Sequence, residues 1–279
     1  MPNIPPHTAI IIPAYNENKS LPKLLDSLSC FRDITFIIDD NSEDDTAEII
    51  KRKGFYCFKN TEKKGTSGSI VSGLYHALSQ GFKNAITIDA DGQHDINYVK
   101  EFAEAVEKGC FVCGNRFKKL DFIPSNKLTS NCFASKIVKQ YLHTNIPDVA
   151  CGYRAFNIQK YLKLATKYSL NDFELIYSFL YHAITTNEEF EIVPIPAIYY
   201  PEKLWDTSRK EVFSLILTTC KYKQDETLLS ITKNLNGRCS FECVVDNTLF
   251  HFYYMNSFDS YFIEADLKDI YSYYNNMVY

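Results

Sequence analysis

Along the first part of the chain, short apolar blocks alternate with longer stretches of mixed character. The blocks are Thr8 to Pro13, Ile34 to Asp39, Phe55 to Lys59 and Asn84 to Asp89. The stretches between and after them are Ser20 to Cys30, Glu43 to Lys53, Ser69 to Gln80 and Ile96 to Lys108. A compact apolar run bounded by turn residues reads as a strand buried on both faces. A longer run with apolar residues at helical spacing reads as an amphipathic helix. Strands alternating with helices predict βαβ units and a largely parallel sheet, an α/β fold. In such a sheet ligands bind at the carboxyl ends of the strands. That rule directs attention to the residues after Pro13, after Asp39 and at Asp89.

The pattern continues less regularly. Cys110 to Gly114 reads as a further buried strand. Leu128 to Leu142 carries Lys136 and Lys139 among apolar residues. It is either a helix packed on the core with a solvated basic edge or an amphipathic helix lying on a membrane surface. Glu211 to Tyr222 reads as a helix. Cys239 to Val245 and Thr248 to Tyr254 read as two strands around Asp246-Asn247, with Ser257 to Ala265 as a third. The tail from Tyr271 to Tyr279 is rich in Tyr and Asn. Aromatic residues at strand spacing are expected to pack, and no chemistry is assigned to them.

Composition narrows the class. The chain has 279 residues, 46% of them hydrophobic and 23% charged, as in an ordinary globular protein. The formal net charge of −4 does not suit a nucleic-acid binder. No apolar run reaches the roughly 18 residues of a membrane span. Met1 to His7 carries two adjacent prolines and no basic segment, so it does not read as a signal peptide. The expected location is the cytoplasm, with any work on lipid done peripherally at the membrane. The nine cysteines are scattered and odd in number, which predicts reduced thiols. Cys110 and Cys113 form a lone CxxC inside a predicted strand and read as buried structural thiols.

Each of the three strand ends carries polar groups. They are Pro13-Ala14-Tyr15-Asn16-Glu17, Asp39-Asp40-Asn41-Ser42 and Asp89-Ala90-Asp91-Gly92-Gln93-His94. Residues i and i+2 of an extended segment point to one side, so Asp89 and Asp91 present two carboxylates together. Hard oxygen ligands suit Mg²⁺ or Mn²⁺, and such an ion neutralises a departing diphosphate. Gly92 allows the backbone to approach a ligand closely. Taken singly, Asp40, Asn41 and Ser42 could simply cap the helix that follows. Three such clusters at the ends of three strands point instead to a site. Gly65, Gly68 and Gly73 do not form GxGxxG, and Lys63-Lys64-Gly65-Thr66 has the wrong order for a P-loop.

These segments resemble the signatures of glycosyltransferase family 2. The resemblance is carried by Ile11 to Glu17, Ile38 to Thr46 and Asp89 to His94. Gly114-Asn115-Arg116 and Asp148 to Phe156 resemble the branch containing dolichyl-phosphate mannose synthase and bacterial polyprenyl-phosphate sugar transferases. It covers roughly residues 8 to 209. The resemblance implies a GT-A fold, a Rossmann-like sheet flanked by helices, over residues 1–209. Residues 210–279 are then a small C-terminal α+β extension. It implies an inverting hexosyltransferase that uses a nucleoside-diphosphate sugar, a GDP- or UDP-sugar, with Mg²⁺ or Mn²⁺. By the resemblance, Pro13, Tyr15, Glu17, Asp40, Asp89 and Ala90 hold the nucleotide sugar. Asp89, Asp91 and Gln93 form the metal site, and Arg116 faces the diphosphate or the acceptor. Lys127, Ser130 and Arg154 are the remaining acceptor candidates.

The acceptor decides which groups are catalytic. A hydroxyl needs a general base, for which Asp148 is the candidate; a phosphate monoester is already an anion and needs cations. Asp148 is equally readable as a turn residue after Pro147, and Arg154 as a structural partner of an acid. Two features depart from the lipid-phosphate branch. Asn126 stands where an arginine is expected, with Lys127 beside it as a point charge. The late Gly-x-Ser-Lys loop is replaced by Trp205-Asp206-Thr207-Ser208-Arg209. The leading expectation is a polyprenyl or dolichyl monophosphate, and the rival a hydroxyl of a glycan, lipid or protein. Readings from other classes are an inactive GT-A-like binding protein and a sugar nucleotidyltransferase. Intact Asp89-x-Asp91 and Arg116 count against the first. The lack of a glycine-rich basic loop after strand one counts against the second.

Overall fold

A computed structural model describes residues 4–118, 120, 123–167, 174–199, 207–223, 225–256 and 259–277. Trp205 and Asp206 of the late loop, Ser257, and the terminal Val278 and Tyr279 lie outside the described residues. The predicted alternation is present. Strands β1 (Thr8–Ala14), β2 (Thr35–Asp39), β3 (Tyr56–Lys59) and β4 (Asn84–Thr87) alternate with helices α1 (Leu21–Ser27), α2 (Thr46–Arg52) and α3 (Gly65–Ser79). Helix α4 (Val99–Glu107) leads to β5 (Phe111–Asn115), followed by α5 (Ser125–Leu142), β6 (Arg154–Asn157), α6 (Ile158–Lys167), α7 (Glu174–Thr185) and β7 (Phe190–Pro194).

Among the described residues seven strands form one sheet in the order β3-β2-β1-β4-β6-β5-β7. The first four are parallel neighbours, and β6 runs antiparallel to both β4 and β5. Nearly every residue of β1, β2 and β4 is buried, as continuous apolar strands covered on both faces require. Ile10, Ile12, Ile37, Ile86 and Ile88 pack there against Leu24, Leu25, Phe102 and Val106 from α1 and α4.

The chain divides into two compact units. One comprises Met1–Gly114, Cys151–Leu175 and Asn187–Ile198 and carries this sheet. The other comprises Asn115–Ala150, Ile176–Thr186 and Tyr199–Tyr279. In the second unit α5 packs on an antiparallel sheet ordered β8-β11-β10-β9, with β8 at Thr207–Ser208, β9 at Phe241–Val245, β10 at Thr248–Met255 and β11 at Ser260–Glu264. Asp246 and Asn247 have φ of 44° and 60°, the pair of left-handed residues that a tight β9–β10 hairpin needs. Helices α8 (Arg209–Cys220), α9 (Glu226–Gly237) and α10 (Leu267–Asn275) complete it.

Differences from the sequence expectation have local causes. Helix α3 begins at Gly65 rather than Ser69, because the Asp40 carboxylate accepts the main-chain N–H groups of Lys64 (2.8 Å) and Gly65 (2.7 Å). A residue distant in sequence thus caps its first turn. The Tyr-rich tail forms α10, where Asp266 caps Lys268 N–H. Helix α5 is packed in the core rather than laid on a surface. Lys136 is buried, and Lys136 and Lys139 both reach the Asp246 carboxylate, at 3.2 and 2.8 Å. All nine cysteines are free thiols. Cys113 is buried as expected, while Cys110 is only partly so.

Helix α3 lies close on the sheet at Gly73. A Cβ there would sit 2.5 Å from Ile11 Cγ2 and 3.2 Å from Ile38 Cγ1. Gly73→Ala is expected to destabilise the protein by up to about 2 kcal/mol, since overpacking of roughly 1–3 kcal/mol is set against a helix-propensity gain of about 1 kcal/mol and the 2.5 Å approach puts the cost toward the upper end. Urea unfolding of the two proteins measures the difference; equal midpoints at equal slope would refute the close contact.

Candidate active site

The first two strand-end loops hold each other. Asn16 and Asn41 both take left-handed backbone, with φ of 53° and 62°. The turned loops then face one another. Asn16 N–H donates to Ser42 Oγ (3.0 Å), Glu17 N–H to Thr46 Oγ1 (2.9 Å) and Asn18 N–H to Asp44 Oδ2 (3.2 Å). Glu43 N–H returns a bond to Asn16 Oδ1 (2.9 Å). Ser42, which the sequence offered as a cap of α2, therefore serves the neighbouring loop. The N-cap of α2 is Asp45, whose side chain makes no cap bond.

Asp40 is buried behind these loops. Its carboxylate accepts from Asn60 Nδ2 (2.8 Å) as well as from Lys64 and Gly65. Asp39 accepts Ser42 N–H (3.0 Å) and faces Lys59 at 3.6 Å. Asp39 organises the loop, while Asp40 joins loop two to the start of α3.

A cavity of about 240 Å³ opens at these strand ends. It is lined by Pro13, Ala14, Tyr15, Glu17, Asp40, Thr66, Ser69, Asp89, Ala90 and Asp91. All six residues expected at the nucleotide sugar are thus brought together, with Asp91 beside them. Three features were outside the sequence expectation. Thr66 and Ser69 join from α3, whose early start puts its first turn at the cavity. Lys63 places its ammonium 3.6 Å from the Tyr15 ring centroid, a cation–π contact that only folding reveals.

Asp89 and Asp91 follow β4, whose last ladder bond is Ile88 N–H to Ile11 O (3.1 Å). Asp91 Oδ1 accepts Gln93 N–H at 2.9 Å. Gln93 therefore meets Asp91 through its main chain, and it is not among the residues lining the cavity. The Asp89 side chain is 45% exposed. Behind it lies Gly152, whose carbonyl accepts from Thr87 Oγ1 (2.7 Å). A Cβ on Gly152 would lie 2.8 Å from both Asp89 carboxylate oxygens. This cradle and the paired carboxylates fit a hard divalent cation at Asp89 and Asp91. Among the described residues no group of three His, Cys, Asp or Glu side chains is placed to hold a metal ion, so the remaining ligands of such an ion would be diphosphate oxygens and water.

In the second unit, Asp148 is buried and holds Arg116. Its Oδ2 accepts from Arg116 Nε (2.7 Å) and Arg116 N–H (3.1 Å), and its Oδ1 from Arg116 Nη2 (2.8 Å). This is a bidentate, charge-assisted pair. Asn131, on α5, braces the same loop, donating to Pro147 O (2.7 Å) and to Tyr274 Oη (2.9 Å). Lys127 and Ser130 stand on α5, partly exposed. Glu211 on α8 was not expected at all. Burial pushes its carboxyl up, against the opposing pull of Lys127 and Arg116. Arg154 departs from the acceptor expectation. It is buried on β6 and its Nε donates to Cys151 O (2.9 Å), so it braces a turn of its own unit instead of presenting a cation to an acceptor.

Comparison with known proteins agrees with this geometry. The family described as Glycosyl transferase family 2 matches residues 9–164. The chain belongs to glycosyltransferase family 2. It is 27% identical over 213 residues to the UDP-N-acetylglucosamine–dolichyl-phosphate N-acetylglucosaminyltransferase of Methanococcus voltae, covering 68% of this chain and 85% of that protein. It is 30% identical to the undecaprenyl-phosphate mannosyltransferase of Micrococcus luteus, covering 52% of this chain and 64% of that one. Its fold is shared with glucosyl-3-phosphoglycerate synthase of Mycobacterium tuberculosis, solved with Mn²⁺, UDP and phosphoglyceric acid. The TM-score is 0.59 at 15% identity, over 92% of this chain and 86% of that one. The chain is thus a family 2 glycosyltransferase with relatives among polyprenyl- and dolichyl-phosphate sugar transferases.

Asp40→Ala is expected to lower stability, because it leaves two main-chain N–H groups and an amide without their acceptor at about 1–3 kcal/mol for a buried unsatisfied group. Chemical denaturation measures it. An unchanged unfolding midpoint would mean that Asp40 does not hold α3.

Proposed function

We propose that this glycosyltransferase moves a hexose, with inversion, from a nucleoside-diphosphate sugar to a polyprenyl or dolichyl monophosphate. An acceptor phosphate oxygen attacks the anomeric carbon as the bond to the diphosphate breaks, and the nucleoside diphosphate leaves with the bonding pair. Tyr15, Glu17, Asp40, Asp89 and Ala90 would bind the nucleotide sugar, and Asp89 and Asp91 would hold Mg²⁺ or Mn²⁺. When bound, that ion would neutralise charge developing on the leaving diphosphate.

The observation that carries the acceptor reading is the Arg116–Asp148 pair. Asp148 has no exposed side-chain surface, and both its oxygens are engaged by Arg116. It is in no position to take a proton from an incoming hydroxyl, and its role is to orient Arg116. A phosphate monoester needs no base, and it is served by Arg116, Lys127 and the Ser130 hydroxyl. The names of the relatives, which include dolichyl- and undecaprenyl-phosphate transferases, support the same acceptor class. A polyprenyl acceptor brings the reaction to a membrane surface. Among the described residues no helix is long and apolar enough to cross one, so this reading calls for peripheral contact on the cytoplasmic side.

The rival reading, transfer to a hydroxyl, is favoured by one observation. Glu211 is a carboxyl held up by burial beside two cations, which is the setting of a general base.

Asp91→Ala is expected to abolish metal-stimulated transfer while leaving thermal unfolding unchanged. Retention of most activity by this variant in the presence of EDTA would refute the metal role. For the acceptor, Arg116→Ala should lose transfer, whereas Glu211→Gln should cost far less than the roughly 10²–10⁴-fold that follows loss of a base. Transfer assays with undecaprenyl phosphate, dolichyl phosphate and a free glycan decide between the two. A product stable to mild acid would overturn the lipid-phosphate reading, because an anomeric phosphodiester is acid-labile.

A further inference from the structure

His94 closes the segment that runs from Asp89. His94 is 3% exposed, an unusual position for a polar ring. Its Nδ1 accepts the main-chain N–H of Asp89 at 3.2 Å. An accepting Nδ1 places the proton of the neutral ring on Nε2. That nitrogen lies 3.6 Å from Asp89 Oδ2 and 3.9 Å from Cys151 Sγ. The ring is also held by packing, 5.2 Å from Tyr153, which stacks on Phe102 at 4.1 Å.

One side chain therefore addresses both the backbone and the carboxylate of the same residue. Gly152, the neighbour of Cys151, leaves no room for a Cβ against that carboxylate. Gly152 is itself fixed by Thr87. Asp89 is contacted by His94 and closely approached by Gly152, with nearly half its side chain exposed at the cavity. A flexible carboxylate loses side-chain freedom on binding a cation, and one already confined to a single orientation loses less.

We infer that His94 is a positioning residue. It fixes the Asp89 main chain through Nδ1 and, through the Nε2 edge of its ring, turns the Asp89 carboxylate toward the ligand cavity. Gly152 is the small residue that permits that orientation. The inference rests on the reading of Asp89 and Asp91 as the metal site. It concerns a residue that does not line the cavity and does not touch the ligand.

The two ring nitrogens can be tested separately. The side-chain oxygen of Asn falls roughly where Nδ1 stands and can keep the bond to Asp89 N–H. The terminal amide of Gln falls roughly where Nε2 stands and can keep the contact to the carboxylate. Mn²⁺ would be titrated into the full chain and into His94→Asn, His94→Gln, Gly152→Ala and Asp91→Ala, in the presence of UDP and of GDP. The readouts are free Mn²⁺ by electron paramagnetic resonance and unfolding temperature. Loss of an outer partner of a metal ligand typically costs about 10–100-fold in affinity. His94→Asn, which leaves a smaller side chain in a packed site, is expected to unfold at a lower temperature and, while still fully folded, to show that loss, and His94→Gln to recover part of it. Gly152→Ala, which pushes on the same carboxylate from behind, is expected to weaken Mn²⁺ likewise.

A folded His94→Asn protein with parental Mn²⁺ affinity would overturn the role of His94, provided that Asp91→Ala had lost the ion. Parental affinity in Asp91→Ala, or no Mn²⁺ binding by the parent with either nucleotide, would overturn the metal reading itself and the inference with it. If affinity among the variants merely follows unfolding temperature, His94 is a packing residue and the inference fails.

Discussion

The buried carboxylate of Asp40 is the tie on which the site depends. It stands at the end of β2, yet its hydrogen bonds go to residues more than 20 positions later, at Lys64 and Gly65. A helix leaves its first N–H groups unsatisfied, and a buried carboxylate needs donors. Each need is met by the other. The result starts α3 early enough for Thr66 and Ser69 to reach the cavity. Gly73, further along the helix, lets it lie close on β1 and β2. Binding surface and sheet packing are therefore coupled through one short segment.

The same economy governs the other loops. The loop after β1 has no regular structure to satisfy its N–H groups, and side chains of Ser42, Asp44 and Thr46 accept them. Those residue types are common caps, but they serve a neighbouring loop because parallel strands β1 and β2 end side by side. At the end of β4 a buried imidazole and a glycine play the corresponding part for Asp89. In each case the groups facing the cavity are held by groups behind them, the arrangement a site needs if orientation is to be set before the ligand arrives.

In the second unit a different balance decides chemistry. Asp148 and Arg116 could each have acted alone, one as a base and the other as an anion holder. Burial of the carboxylate would be costly without a cation, and the planar guanidinium meets it through two parallel bonds. Pairing engages both carboxylate oxygens and fixes the orientation of the guanidinium. At half-buried Glu211, by contrast, desolvation pushes the carboxyl up, against the pull of Lys127 and Arg116.

The sequence by itself determined the alternating strands and helices, the parallel sheet, and the three strand ends where polar clusters gather. Those rest on periodicity and on chain connectivity, which are local properties. Asp89 and Asp91 both line the cavity, but they do so from a turn that follows β4 and not from the extended segment that their spacing suggested. The sequence could not show that Asp40 caps α3, that Lys63 covers Tyr15, that Arg154 is buried against Cys151 or that Asp148 is locked to Arg116. Nor could it show that His94 turns back on Asp89. Each of these is a contact made when distant segments are packed together, and one residue type is compatible with several such partners. Only the tertiary structure decided which polar groups line the cavity and which hold those that do, because burial and partner geometry arise from packing and are not encoded at any single position.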